Sequence, residues 1–83
     1  MNTFTIKLFG PTGRAVGQRE IKLSIDADRV TCAELRAWLS ECEPRLASLL
    51  PTCRLAVNCQ FAADDQPITK ADEIALIGFV SGG

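Results

Sequence analysis

Neither histidine nor tyrosine occurs anywhere in the 83 residues, and nine Lys+Arg against ten Asp+Glu leave a net charge of −1. The missing histidine removes most histidine-ligated metal sites, every Ser-His or Cys-His nucleophile pair and the commonest general base. The missing charge excess removes the electrostatic footprint of a nucleic-acid binder, which carries a clear basic surplus. No stretch approaches the ~18 consecutive apolar residues of a membrane span. The opening Met1-Asn2-Thr3-Phe4-Thr5-Ile6-Lys7 has no basic segment followed by an apolar one, so no signal peptide is expected. These absences predict a cytoplasmic protein with reduced thiols, no membrane and no nucleic-acid partner, and they argue against an enzyme acting on its own.

What is present describes one small folded domain. Hydrophobic residues make up 47% of the chain and charged residues 23%, near the globular average. A chain of this size buries only roughly 60% of its unfolded surface, enough for one modest core. The four cysteines, Cys32, Cys42, Cys53 and Cys59, contain no C-x₂-C or C-x₄-C knuckle, so no zinc site or other metal centre is expected. Each falls on a predicted apolar stripe or strand, and all four are assigned to packing as small hydrophobes.

Period-2 alternation of Phe4, Ile6 and Leu8 with Thr5 and Lys7 predicts a first strand over residues 4–9. Gly10-Pro11-Thr12-Gly13, with Gly17 following, reads as dense turn chemistry. Ile21, Leu23 and Ile25 then alternate with Glu20, Lys22 and Ser24, completing a β-hairpin. Thr31-Cys32-Ala33-Glu34 is an S/T-x-x-E capping box, and Cys32, Leu35, Leu39 and Cys42 recur behind it at helical spacing, predicting a helix over 31–42. Pro44 suits the start of a second short helix reaching about Leu50, which Pro51 ends. Residues 53–59 read as a third strand, with Asn58 a turn or bulge former and Phe61 extending the strand or starting a short neighbour. Asp64-Asp65-Gln66-Pro67 is a polar turn. Residues 72–80 form the last strand, apolar on both faces as a central strand should be.

A hairpin, a crossing helix and a returning terminal strand pack as one sheet under one helix layer. The expected fold is therefore α+β: a mixed four- to five-stranded sheet covered by one main helix and a short helix, in the β-grasp or ubiquitin-like arrangement. Residues 1–81 form the domain, and Gly82-Gly83 a flexible tail.

Arg14-Ala15-Val16-Gly17, the helix at 31–42, Leu55-Ala56-Val57-Asn58, and Ala71-Asp72-Glu73-Ile74-Ala75-Leu76-Ile77 leading to Val80-Ser81-Gly82-Gly83 together resemble the MoaD/ThiS group of sulfur carriers, most closely molybdopterin synthase small subunits. The likeness spans almost the whole chain. The chain departs from those subunits at Gly78-Phe79, where they often carry two prolines. The resemblance implies a protein that is itself a substrate. An E1-like adenylyltransferase of the MoeB/ThiF type would use ATP in trans to adenylate the Gly83 carboxylate, with no cofactor bound to the chain. A sulfur donor of the cysteine desulfurase or rhodanese type would then displace AMP, leaving a C-terminal thiocarboxylate. Molybdopterin synthase large subunit would receive the sulfur, in a heterotetramer of two small and two large subunits.

The residue chemistry agrees with that implication. A carboxylate is unreactive until its oxygen becomes a good leaving group, and the activated carbon must reach a buried site on another protein. Gly82 and Gly83 have no Cβ and can thread a narrow channel, and Ser81 is small enough to follow. At ~7% glycine usage, a terminal pair arises by chance about once in 200 chains. A frayed terminus is the plain alternative. The same features also admit a carrier for thiamine, cysteine or tRNA thiolation, a ubiquitin-like protein modifier, or a β-grasp interaction module with an inert tail.

A carrier must also dock on its partners. Phe9, Ile77 and Phe79 have parity opposite to Leu8, Leu76 and Val80, so they are expected on the sheet face away from the helix. If the first and last strands are neighbours, these residues form one partner-binding patch leading into Val80 and Ser81; the alternative is a second small core under residues 43–51. By resemblance, Phe9 and Ile77 occupy positions where small subunits carry aromatics at the partner contact. Arg14 and Arg54 read as solvated side chains that could also recognise an activating enzyme.

Overall fold

The computed structural model describes residues 1–78. Five strands form the main sheet: β1 (Asn2–Phe9), β2 (Glu20–Ile25), β4 (Cys53–Val57), β5 (Gln60–Phe61) and β7 (Ile74–Gly78), in the order β2-β1-β7-β4-β5. A two-stranded ribbon pairs β3 (Arg29–Thr31) with β6 (Pro67–Thr69). Three helices, α1 (Pro11–Val16), α2 (Cys32–Cys42) and α3 (Pro44–Ala47), and one 3₁₀ turn (Leu50–Thr52) complete the described fold. Within the sheet β1 runs antiparallel to β2 and parallel to β7, and β7 runs antiparallel to β4. This mixed sheet with one main helix is the β-grasp arrangement expected from the sequence.

The core follows the alternation. Phe4, Ile6 and Leu8 of β1, Leu55 and Val57 of β4, and Ile74 and Leu76 of β7 are buried together with Leu35 and Leu39 of α2. Leu46 and Leu50 join the same cluster, so residues 43–51 close the main core and build no second one on the opposite face. The capping box forms as expected: Thr31 Oγ1 accepts from the Glu34 amide at 3.1 Å, and Glu34 Oε1 accepts from the Thr31 amide at 2.9 Å. Two further amides of the first helical turn, Cys32 and Ala33, donate to the carbonyls of Gln66 and Asp64. That start of α2 therefore leaves few of its donors without a partner.

Four expectations are corrected. Residues 10–17, expected as a turn, contain the six-residue helix α1. Its proline stands in the first helical turn, and Gly17, with φ 75°, closes it in the left-handed conformation while donating to the Gly13 carbonyl at 2.8 Å. The same residues that read as turn formers serve as helix start and stop signals. The helix after Pro44 ends at Ala47, and Pro51 lies inside the separate 3₁₀ turn instead of ending the helix. The ribbon β3–β6 was not anticipated, because each three-residue strand offers one buried apolar side chain, Val30 or Ile68, and no alternation to read. Finally, only Cys32 and Cys53 pack in the core; Cys42, at the end of α2, and Cys59, in the turn after β4, are exposed. Burial pushes the Cys32 and Cys53 thiols above the ordinary thiol range.

Candidate functional site

The sheet face opposite α2 carries a shallow apolar groove of about 230 Å³. Its shape follows from the strand register. Ala56 of β4 pairs with Ala75 of β7, and two such small side chains at the centre of the face leave a depression. Larger residues stand on either side. Phe9 of β1 pairs with Ile77 of β7 on one flank, and Phe61 of β5 pairs with Ala56 on the other. Phe9 and Phe61 are each 50% exposed, a high value for side chains that gain so much from burial. Polar groups ring this centre. Lys7 Nζ contacts Glu73 Oε1 at 3.2 Å at one end, and the Arg54 guanidinium lies 4.3 Å over the Phe61 ring. An apolar middle with a charged rim is the anatomy of a protein-docking surface.

The β4–β5 hairpin sets one flank. Asn58 and Cys59 form its two-residue turn with φ 52° and 70°, the positive values that a type I′ turn requires at both central positions. Asn58 is held from three directions. Its amide donates to the Glu73 carbonyl at 2.8 Å, its Nδ2 donates to Asp72 at 3.0 Å, and its Oδ1 accepts from the Glu73 amide at 3.0 Å. The hairpin is thereby fastened to the segment entering β7, and Phe61 is fixed across the groove from Ile77.

Of the partner-binding residues expected from the sequence, Phe9 and Ile77 are brought side by side on this face. Phe79, Val80, Ser81, Gly82 and Gly83 lie outside the described residues. Phe61, Ala56, Ala75 and Cys59 also line the groove and were not singled out beforehand. The signal for Phe61 was a two-residue turn at Asn58-Cys59, which fixes the register that puts Phe61 opposite Ala56. Arg14 is exposed at the end of α1. Among the described residues no group of three or more Cys, Asp or Glu side chains converges to hold a metal, and no helix is long and apolar enough to cross a membrane.

Known proteins share this chain's fold and sequence pattern. The ThiS family model matches residues 6–83. The molybdopterin synthase sulfur carrier subunit of Dictyostelium discoideum is 36% identical over 84 residues, covering 99% of this chain and 98% of that protein. The crystal structure of SAMP1 from Haloferax volcanii superposes with a TM-score of 0.82 at 26% identity, covering 99% of this chain and 100% of that one. A chain of the protein–protein complex of subunits 1 and 2 of molybdopterin-converting factor from Helicobacter pylori matches with a TM-score of 0.68 at 27% identity, covering 98% of this chain and 99% of that one. On a family match running from the first strand to the last residue and a relative aligned over nearly its whole length, the chain belongs to the ThiS family, the MoaD/ThiS type of sulfur carrier built on the β-grasp fold.

Proposed function

We propose that the chain carries sulfur as a thiocarboxylate on Gly83 and delivers it in molybdopterin synthesis. The observation that carries this reading is the ThiS family match through the terminal Gly82-Gly83, on a fold whose last strand borders an apolar docking groove. The Gly83 carboxylate attacks the α-phosphate of ATP bound to an E1-like adenylyltransferase of the MoeB/ThiF type. Pyrophosphate leaves, and an acyl-adenylate remains. The terminal persulfide sulfur of a cysteine desulfurase or rhodanese-type donor then attacks the acyl carbon and displaces AMP, forming an acyl disulfide. A thiol reductant cleaves its S–S bond, freeing the donor's cysteine and leaving the thiocarboxylate. The chain supplies no catalytic side chain of its own; it supplies the reacting terminus and the surface that docks it. The likeness to the Dictyostelium carrier subunit and to the two-subunit Helicobacter complex favours a molybdopterin synthase large subunit as the receiving partner. The groove formed by Phe9, Phe61 and Ile77 is the surface on which these partners would dock in turn.

One observation favours a second reading. The fold superposes on SAMP1 with a TM-score of 0.82, and that name denotes a small archaeal modifier protein. An acyl-adenylate is also the first step towards joining Gly83 to a lysine amine. Both readings need a free Gly83 carboxylate, and they part only at the second step. The test of the shared step is ATP–pyrophosphate exchange by an E1-like adenylyltransferase in the presence of the chain. Exchange should appear with the native chain and vanish when one alanine is appended after Gly83. Equal exchange with the extended chain would contradict the assignment of Gly83 as the reacting group.

A further inference from the structure

The strands β1 and β7 end side by side, with Phe9 paired to Ile77. Just beyond them the backbone makes an unusually close crossing. Gly10 has φ 68°, and a Cβ placed on it would lie 2.8 Å from the Gly78 carbonyl oxygen, nearer than a side-chain carbon can sit. Gly78 is hemmed in from the other side: a Cβ there would meet Pro11 Cδ at 3.1 Å and Thr12 Cγ2 at 3.2 Å. Gly10 has two reasons to be glycine, its backbone conformation and this contact. Gly78 has only the contact. The corner is also locked. Thr12 is fully buried, and its hydroxyl donates to the Phe9 carbonyl at 2.7 Å. The start of α1 is thus bonded to the end of β1 and packed against the end of β7.

We propose that this crossing is a positioning device: Gly10, Thr12 and Gly78 fix the place and direction of the backbone at Gly78, the root from which the Gly83 carboxyl group is presented to its partners. The proposal rests on the carrier reading. The three are positioning residues, acting through the chain between Gly78 and Gly83. The lever is short. Five residues reach at most about 17 Å, so turning their root by about 10° shifts the volume available to the terminus by about 3 Å. A misplacement of about 1 Å at a reacting centre can cost about 100-fold in rate. Docking depends on Phe9, Phe61 and Ile77, whereas arrival of the terminus depends on the crossing. The two functions should therefore separate in the kinetics.

The test uses the full chain with an E1-like adenylyltransferase of the MoeB/ThiF type, measuring ATP–pyrophosphate exchange against carrier concentration, with the melting temperature of each variant alongside. Gly78→Ala should lower kcat about tenfold while KM for the carrier changes less than about twofold. Thr12→Ser removes the methyl group that faces position 78 and keeps the hydroxyl. Added to Gly78→Ala, it relieves the Thr12 contact while the one to Pro11 Cδ stays, and should return part of the lost kcat. If Gly78→Ala does not fold, Thr12→Ser alone, which opens the crossing, should lower kcat about threefold at unchanged KM. Wild-type kcat in the folded Gly78→Ala variant, a loss expressed in KM, no rescue by the added Thr12→Ser, or an unaltered kcat in Thr12→Ser alone would each overturn the positioning role. A native chain that supports no exchange would overturn the carrier reading itself, and the positioning role with it.

Discussion

Phe9 stands half in water at the end of a strand whose other face, Phe4, Ile6 and Leu8, is buried, beside Ile77 and across two alanines from Phe61. Under the proposed carrier function its exposed face is part of the surface a partner would cover. Phe9→Asp places a charge on one flank of the groove, where docking would strip it of water. The loss expected is about 1–3 kcal/mol, seen as a roughly ten- to hundred-fold rise in KM for the carrier in adenylation, with the fold intact. An unchanged KM would remove Phe9 from the interface. Asp72 makes a different contribution. It accepts from the Thr69 amide at 2.8 Å and from Asn58 Nδ2 at 3.0 Å, and these bonds hold its carboxyl below the usual carboxylate range. The folded state therefore prefers the ionised form. Its contribution is complete above the unfolded value of about 3.9 and is lost as pH falls through the lower folded value. Asp72→Asn should make the fall of melting temperature with acid shallower below about pH 4, and an identical acid limb would contradict the coupling.

Among the elements, the β4–β5 hairpin carries strain at one known place. Cys59 adopts φ 70° without the side-chain compatibility that Asn58 has for this region. Cys59→Gly should raise stability by about 1 kcal/mol in denaturant unfolding; a loss would mean the thiol contributes more than its backbone costs. The helix α2 was legible because its start is written locally, in Thr31 and Glu34 three residues apart, and its stripe repeats often enough to count. The alternation in β1 and β7 likewise placed Phe9 and Ile77 on one face, once the two strands proved to be neighbours. The helix α1 was not legible, since Gly10, Pro11 and Gly17 serve a turn and a short capped helix equally well. Nor was the β3–β6 ribbon, whose pairing of Val30 with Ile68 joins distant segments through strands too short to show a period. Cys42 and Cys59 have the right residue type for packing but lie where their elements run out. Phe61 needed a register, and the turn supplied it.

At the scale of the whole molecule, a sequence without histidine is compatible with the proposed function, in which the reacting group is the Gly83 carboxylate. The sheet buries one face under α2 and offers the other as a groove, and the strand that forms the groove's centre is the one that leads to Gly82 and Gly83. Under the proposed function such a domain works together with an activating enzyme, a sulfur donor and a receiver. The most direct measurement is the intact mass of the chain after incubation with an E1-like adenylyltransferase, ATP, a persulfide-loaded cysteine desulfurase or rhodanese-type sulfur donor and a thiol reductant. The account predicts the exchange of one oxygen for one sulfur, lost again when molybdopterin synthase large subunit and the pterin precursor are added. A mass that stays unchanged while the adenylyltransferase demonstrably activates Gly83, or that moves only into lysine-linked conjugates, would contradict it.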